Sequence, residues 1–379
     1  MTNICDEAWV KRKSWPRGSR QARSLRIVDL FSGCGGLSLG VAEACRINGL
    51  GMEVVLALDL HVAAVSVYRK NFGVDENVAQ LGDIQEFFQG HIAIGLSEKE
   101  RLLRSACSRV DLIVAGPPCQ GHSDLNNSSR RDDPRNSLYF RVVRAAKVLR
   151  PAAVLIENVP TVIHDKQHVV ENATKGLESL GYRVTAGLLR GVSIGLAQRR
   201  KRHVLVAVKA GIFDFSLEEN LRPEAQRTVR DYIGDLTDLN GSRVPIYDFA
   251  SKMSPVNEDR ARFLYENGEY DLPNRLRPRC HRDFSHSYVS VYGRLRWNRP
   301  AQTITTGFGS MGQGRYLHPS QQRTITPHEA ARLQGFPDYF DFTPAQTRGA
   351  MQLVIGNAVP PKFAAVVVDQ LFKKAHLNC

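Results

Sequence analysis

From Leu25 onward the chain alternates short apolar runs with stretches of helical texture. The runs LRIVDL, EVVLAL, VDLIVA, AAVLIEN and RHVLVAV are rich in Val, Ile and Leu and too short for helices, the pattern of buried strands. Between them GVAEACRING, VAAVSVYRKNF, NSLYFRVVRAAKVLR and VVENATKGLESLGY repeat apolar residues at helical spacing. Alternation of this kind predicts an α/β fold, a parallel sheet with helices on both faces, over residues 25–209. After Gly211 the period breaks up into turn residues, aromatics and arginines, so residues 210–322 are expected to form a smaller, irregular domain. Helical pattern returns in ITPHEAARLQGF and PKFAAVVVDQLFKK, and residues 323–379 should dock back on the sheet. Residues 1–24 carry Lys11, Arg12, Lys13, Arg17, Arg20 and Arg23 without hydrophobic periodicity and read as a flexible basic arm.

Charge sharpens this picture. The 51 Lys and Arg against 38 Asp and Glu leave +13 over 379 residues, an excess that attracts polyanions and makes nucleic acid the leading partner. Between residues 275 and 299, Arg275, Arg277, Arg279, Arg282, Arg294, Arg296 and Arg299 face only Asp283, with Phe284, Tyr288, Tyr292 and Trp297 interleaved. That composition suits a surface that neutralises phosphates and packs on sugars or bases. Hydrophobic residues at 42% and charged residues at 23% belong to an ordinary globular chain, which excludes disorder, collagen and coiled coil as the main architecture. Seven cysteines with no C-x-x-C pair suggest reduced thiols, not a disulfide framework or a zinc ribbon. No apolar run looks long enough to span a bilayer and the N-terminus lacks a signal-peptide stretch, so a cytoplasmic protein is expected.

Four groups of residues at successive strand ends carry chemistry. Asp29-Leu30-Phe31-Ser32-Gly33-Cys34-Gly35-Gly36-Leu37 leads from the first strand into a helix, and its glycines allow a sharp turn close to a ligand. A nicotinamide fingerprint would need a third glycine where Ser38 stands. Asp59 ends the second strand, where a carboxylate can accept hydrogen bonds from ribose hydroxyls, and Asp83 follows the third. GPPCQGHS then presents Cys119 behind two prolines, a thiol held firmly and still reachable. Glu157-Asn158 ends a buried apolar run, where a charge must be paired or protonated. By strand alternation Arg200 and Arg202 should share a face on entering the last strand and could clamp a phosphate or developing anion.

Taken together and in this order, these motifs resemble the DNA (cytosine-5) methyltransferases of bacterial type, from residue 25 to residue 375. The carriers are DLFSGCGGLSLG, Asp59, LGDI, GPPCQGHS, Glu157-Asn158, QRRKR, TITPHEAARLQGFPD and GNAVPP. The resemblance implies a Rossmann-like sheet domain that binds S-adenosylmethionine, beside a target-recognition domain. It places Phe31 against the adenine and Ser32, Gly33, Gly35, Gly36 and Leu37 along the methionine. Asp59 and Leu60 fall at the ribose, Asp83 and Ile84 at the adenine amino group, and Pro117, Asn357 and Ala358 around the pocket. Cys119 would attack C6 of a flipped cytosine while Glu157, aided by Arg200 and Arg202, holds the ring. Gln120, Ser123, Asn158, Thr305 and Thr306 would meet the substrate. No metal is implied.

Departures from the family pattern are modest. Asp59 stands in place of the usual glutamate, Ala197 in place of a common proline, and His122 in place of a common aromatic. The implied partner is double-stranded DNA, with a cognate restriction endonuclease acting separately and the enzyme itself a monomer. The competing readings are an RNA (tRNA) cytosine-5 methyltransferase and a catalytically silent DNA-binding homologue.

Overall fold

The computed structural model describes residues 7–15, 23–118, 138–209, 224–238, 244, 246–283 and 291–375. Among them seven strands form one sheet: β1 (Ser24–Leu30), β2 (Gly51–Asp59), β3 (Ala79–Leu81), β4 (Leu112–Ala115), β5 (Ala153–Asn158), β6 (Tyr182–Arg190) and β7 (Lys201–Lys209). Their order is β3-β2-β1-β4-β5-β7-β6. Neighbours from β3 to β5 are parallel, whereas β7 runs antiparallel to both β5 and β6. The sheet is therefore mixed, not wholly parallel as its pattern suggested. Connection length explains the difference: a parallel return needs a crossover of about a dozen residues or more. Residues 191–200, which join β6 to β7, hold one turn of 3-10 helix at Gly191–Ile194, so the chain comes straight back.

Alternation along each strand builds two cores. Leu25, Ile27, Leu155, Val204 and Val206 face one side, with the helices Gly36–Ile47, Val62–Phe72 and Pro361–Ala375 above them. Val28, Leu30, Val154, Ile156 and Leu205 face the other, beneath Leu138–Leu149 and Val169–Ser179. Strands buried on both faces read as continuous apolar runs, which is why they were visible. The helices Gly36–Ile47 and Pro361–Ala375 meet backbone to backbone, since a Cβ on Gly40 would stand 2.0 Å from the Pro361 carbonyl oxygen.

The C-terminal stretch Arg348–Lys373 is apolar, with mean hydropathy 1.4, but it is divided into the helices Arg348–Asn357 and Pro361–Ala375. Its apolar window is 78% buried inside the molecule, the situation of a core helix.

Residues 7–15 are docked, not free as the basic arm was expected to be. Trp9 and Val10 are fully buried, the Trp9 indole donates to the Gly335 carbonyl (3.1 Å), and Asp338 N–H donates to the Val10 carbonyl (3.1 Å). Past residue 224, Ala261, Leu264, Leu272, Val291, Tyr292, Met311 and Leu317 form a third, small core, held by isolated bridges in place of ladders. Arg294 lies inside this unit, donating to the carbonyls of Leu264 (3.0 Å), Glu269 (3.2 Å) and Pro319 (2.8 Å), with its guanidinium over Tyr265 and Tyr270. Arg294 and Tyr292, read as surface groups from composition, are thus internal. Phe284 and Tyr288 lie outside the described residues.

Candidate active site

Strand order reverses between β1 and β4, and in open α/β sheets the crevice at such a reversal is where ligands bind. The turn after β1 builds one wall of it. Phe31 (φ 57°), Gly33 (φ 54°) and Gly35 (φ 94°) adopt left-handed backbone, reversing the chain before the helix Gly36–Ile47. Glycine is required at Gly35, where a Cβ would stand 2.3 Å from the Phe72 ring, and at Gly36, where it would stand 2.0 Å from the Val359 carbonyl oxygen. At Gly33 nothing lies within 4 Å of that position, leaving open space above the strand end.

Backbone hydrogen bonds tie this turn to β2. Ser32 N–H donates to the Leu58 carbonyl (2.9 Å), and Gly33 N–H to Oδ2 of Asp59 (2.8 Å). Asp59 also accepts the His61 N–H (2.8 Å), and Leu60 beside it is 67% exposed. Asp83 caps the short helix Ile84–Phe87 by accepting the Gln85 N–H (2.9 Å). Ile84 is in the core, and Phe31 packs against the same cluster.

Asp29, which was not singled out among the sequence candidates, lies fully buried below the turn. Its Oδ2 accepts the Ser38 hydroxyl (2.6 Å), which also meets the Tyr68 hydroxyl (2.8 Å), while Oδ1 has no hydrogen-bond partner. Burial raises the Asp29 carboxyl to about 7, with the Asp59 charge adding to the shift against the Ser38 bond. Burial raises Asp59 as well, against backbone hydrogen bonds from Gly33, His61 and Leu60. The half-buried Asp59 carboxylate, bonded to Gly33 beside that open space, suits a ligand that brings hydroxyl donors, as the ribose of S-adenosylmethionine does.

The opposite wall is β4 and β5. Cys119, Gln120 and Ser123 lie outside the described residues, but the approach to them through Gly116 and Pro117 is described. A Cβ on Gly116 would lie 3.6 Å from Val359, 3.7 Å from Glu157 Oε2 and 3.9 Å from Leu37. The glutamate, the turn after β1 and the C-terminal GNAVPP segment thus converge on one glycine. Glu157 is 5% exposed and pairs through Oε1 with the Arg202 guanidinium. The Asn158 amide donates to the Pro117 carbonyl (3.3 Å) and accepts the Val159 N–H (2.7 Å), fixing the strand end to the start of the Cys119 segment.

Opposite Asn158 in register stands His203, kept neutral by burial that lowers its pKa to about 4, with Nδ1 unpartnered. The Tyr139 hydroxyl is likewise buried without a partner, and burial, then the Glu157 charge, push its pKa up.

Arg200 is placed differently from Arg202. It is 3% exposed and donates through Nη1 to the Ile304 carbonyl (3.1 Å) and to Oε1 of Gln334 (3.4 Å). Residue 200 precedes β7, so strand alternation does not carry back to it. Thr305 shares a hydrogen bond with the Tyr316 hydroxyl (2.9 Å), and Thr306 is exposed. A Cβ on Gly356 would stand 2.3 Å from the Thr306 nitrogen, so the turn before exposed Asn357 and buried Ala358 packs directly on the threonine pair.

Comparison with known proteins agrees with this geometry. The family model described as C-5 cytosine-specific DNA methylase matches residues 25–373. The Type II methyltransferase M1.BsuMI of Bacillus subtilis (strain 168) is 44% identical over 361 residues, covering 95% of this chain and 83% of that protein. The Type II methylase M.HgiDII of Herpetosiphon aurantiacus is 31% identical over 353 residues, covering 91% of this chain and 94% of that protein.

Among solved structures, an E. coli prophage protein described as a DNA modification methyltransferase superposes with TM-score 0.63 at 25% identity, covering 93% of this chain and 99% of that one. The Dnmt2 methyltransferase of S. pombe shares the fold, with TM-score 0.59 at 18% identity and coverage of 92% and 98%. Methyl transfer in this family draws on S-adenosylmethionine. A family model spanning almost the whole chain, over a sheet whose switch point gathers the family's motifs, leaves one assignment: the protein belongs to the C-5 cytosine-specific DNA methylases.

Proposed function

We propose that the protein methylates C5 of a cytosine turned out of a specific duplex DNA sequence, through a covalent bond between Cys119 and C6. The observation that carries this reading is the convergence of Glu157, Leu37 and Val359 on Gly116, three residues before Cys119. A base must leave the helix before its ring can be reached, at a cost of a few kcal/mol.

In this reading the Cys119 thiolate adds to C6, and the ring electron pair moves toward C5. Glu157 meets the N3 and amino edge, where a proton keeps negative charge from building on the base. Arg202 holds the Glu157 carboxylate in place and, with Asn158, sets the end of β5 against the Cys119 segment. Bound at the β1 turn, S-adenosylmethionine supplies a methyl group on a sulfonium, a leaving group that needs no metal. Phe31, Asp59 and Leu60 would hold its adenosine with Asp83 and Ile84, and the Ser32–Leu37 turn its methionine, with Asn357 and Ala358 closing over it. C5 takes that methyl; its proton then passes to solvent and the N3 proton back to Glu157, which expels the thiolate and restores the ring.

Residues 210–322 would read the sequence, and within them Thr305 and Thr306, packed against Gly356, would meet the substrate. We place the enzyme in the cytoplasm as a monomer on DNA, with a restriction endonuclease of the same site acting separately.

Trapping tests this directly. Mixed-sequence duplex DNA containing 5-fluorocytosine is incubated with the full chain and S-adenosylmethionine, then run under denaturing conditions. A stable protein-DNA adduct is expected, because fluorine cannot leave as the proton does. The adduct should vanish in Cys119→Ser and fall by about 10²-fold or more in Glu157→Ala, the scale of losing one positioned charge-stabilising group. An undiminished adduct in Cys119→Ser overturns the mechanism, and methylation of tRNA without DNA overturns the substrate.

A further inference from the structure

Two buried glutamines join the Ile304 segment to the C-terminal Ile355–Ala358 segment. Gln198, fully buried, donates to the Leu333 carbonyl (2.9 Å) and to Gln334 Oε1 (3.0 Å), and its own Oε1 accepts the Ile304 N–H (3.1 Å). Gln334, also fully buried, uses its amide in two directions. Its oxygen accepts from Gln198 and, at 3.4 Å, from Arg200, on the side of Ile304 and the Thr305-Thr306 pair. Its nitrogen donates to the carbonyls of Ile355 (2.7 Å) and Ala358 (3.3 Å), on the side of Gly356-Asn357 and of Val359, which borders Gly116.

An amide has two donors and an acceptor oxygen, and here both ends are engaged by direct bonds. Its orientation is consequently fixed: flipping it would set N–H against N–H on one side and carbonyl against carbonyl on the other. A shift of the Ala358 backbone must move the Gln334 side chain, and that shift passes to Arg200, Gln198 and Ile304.

We infer that Gln334 is a positioning residue that couples occupancy of the cofactor pocket to duplex DNA binding, acting through Ala358 on one side and Ile304 on the other. This rests on the function proposed above. It specifies that cofactor and DNA enhance each other's binding, and that the enhancement passes through this amide. Gln334→Glu keeps the acceptor toward Gln198 and Arg200 but sets a carboxylate against the Ile355 and Ala358 carbonyls. Gln198→Met removes the link to Ile304 and leaves the Gln334 donors in place.

The test measures affinity of the full chain for the duplex recovered from the fluorocytosine adduct, with and without saturating S-adenosylhomocysteine, and the reciprocal affinity for S-adenosylhomocysteine with and without DNA. In the wild type both ratios should be equal and above about 5, the lower end of ordinary coupling. In Gln334→Glu and in Gln198→Met both ratios should fall toward 1, each variant still binding each ligand alone. A merely structural role would weaken single-ligand binding and leave the ratio standing. Ratios near 1 in the wild type, or wild-type ratios in whichever variant folds, overturn the inference. A wild-type protein that binds neither ligand overturns instead the function on which it rests.

Discussion

At the scale of single residues, the site depends on atoms that are absent as much as on those present. Gly40 illustrates the packing side. A methyl there would stand 2.0 Å from the Pro361 oxygen, 2.9 Å from the Ala365 nitrogen and 3.0 Å from the Ala364 Cβ, and no flexible side-chain end is there to yield. Gly40→Ala should cost about 1–3 kcal/mol, the usual range for overpacking a tight contact. It should appear as a lower urea midpoint at unchanged slope, and an unchanged midpoint would show that the two helices are not in contact. The polar residues divide by legibility. Glu157 was visible because it ends an apolar run in a recognisable motif. Asp29 and Gln334 also sit in quoted motifs, and the bond of Asp29 to Ser38 is local, but Gln334 is bonded to Gln198, 136 residues away in sequence. No local pattern reports such a pairing. The arginine pair was only half legible, because the face of Arg200 is set by the contact with Ile304 and not by strand alternation.

At the scale of elements, β1, β2, β4, β5 and β7 were readable because burial on both faces demands continuous apolar runs. β6 was not among the expected strands. It is an edge strand with one neighbour, exposed or half-exposed over most of its length, so half its positions carry no hydrophobic signal.

The helix Glu98–Cys107 was also missed, although Ser97 and Glu100 form a capping box at its start. Its Glu100 does a second job: with Arg144 it forms a buried ion pair, the two side chains 0% and 2% exposed. Arg144 uses its remaining N–H groups on the carbonyls of His91, Ile94 and Gly95, all at 2.8 Å, and so holds the crossover between β3 and β4 in shape. Arg144→Met should lose about 3–5 kcal/mol, because Glu100 is left buried and unpaired. Adding Glu100→Gln should return part of that loss. A double variant no more stable than Arg144→Met would mean the arginine acts through the loop carbonyls alone.

At the scale of the whole molecule, one cluster clasps segments from four parts of the chain. His328 is bonded by Nδ1 to Asp248 (2.8 Å) and by Nε2 to Asp338 (2.9 Å), and its ring stacks on Tyr247. Arg332 pairs with Asp338 and with Asp235, and the Asp338 backbone reaches Val10 of the docked N-terminal segment. Burial opposes charge on His328, but the hydrogen bonds to Asp248 and Asp338 outweigh it and raise its pKa above 6.5, with Arg332 a smaller opposing influence. Burial similarly opposes charge on Asp338, yet His328 and Arg332 hold it at about 2.

A histidine whose folded pKa is raised stabilises the fold fully below its unfolded value, near 6.5, and that contribution is lost as pH rises through the folded value. The melting temperature of the wild type should therefore exceed that of His328→Gln by more at pH 6 than at pH 9. A gap independent of pH would show that the ring carries no charge in the fold. The same clasp bears on the charge reading of the sequence. The +13 excess still favours a polyanion, but Arg294 and Arg332 are spent inside the molecule, so net charge alone overstates the surface offered to DNA.

The contact between Gly40 and Pro361 also sets a schedule for synthesis. The face of the sheet beside the turn after β1 is roofed in part by residues 361–371, more than three hundred positions after the glycine they rest on. At about 5–20 residues per second, the ribosome needs roughly 15 to 65 s to deliver that roof. Until then Gly36 and Gly40 lack the Val359 and Pro361 backbone they pack against, and the turn after β1 is unsupported on that side. The half of the chain made first thus contains most of the sheet and the proposed nucleophile, yet by this packing it would not act on DNA before translation is nearly finished.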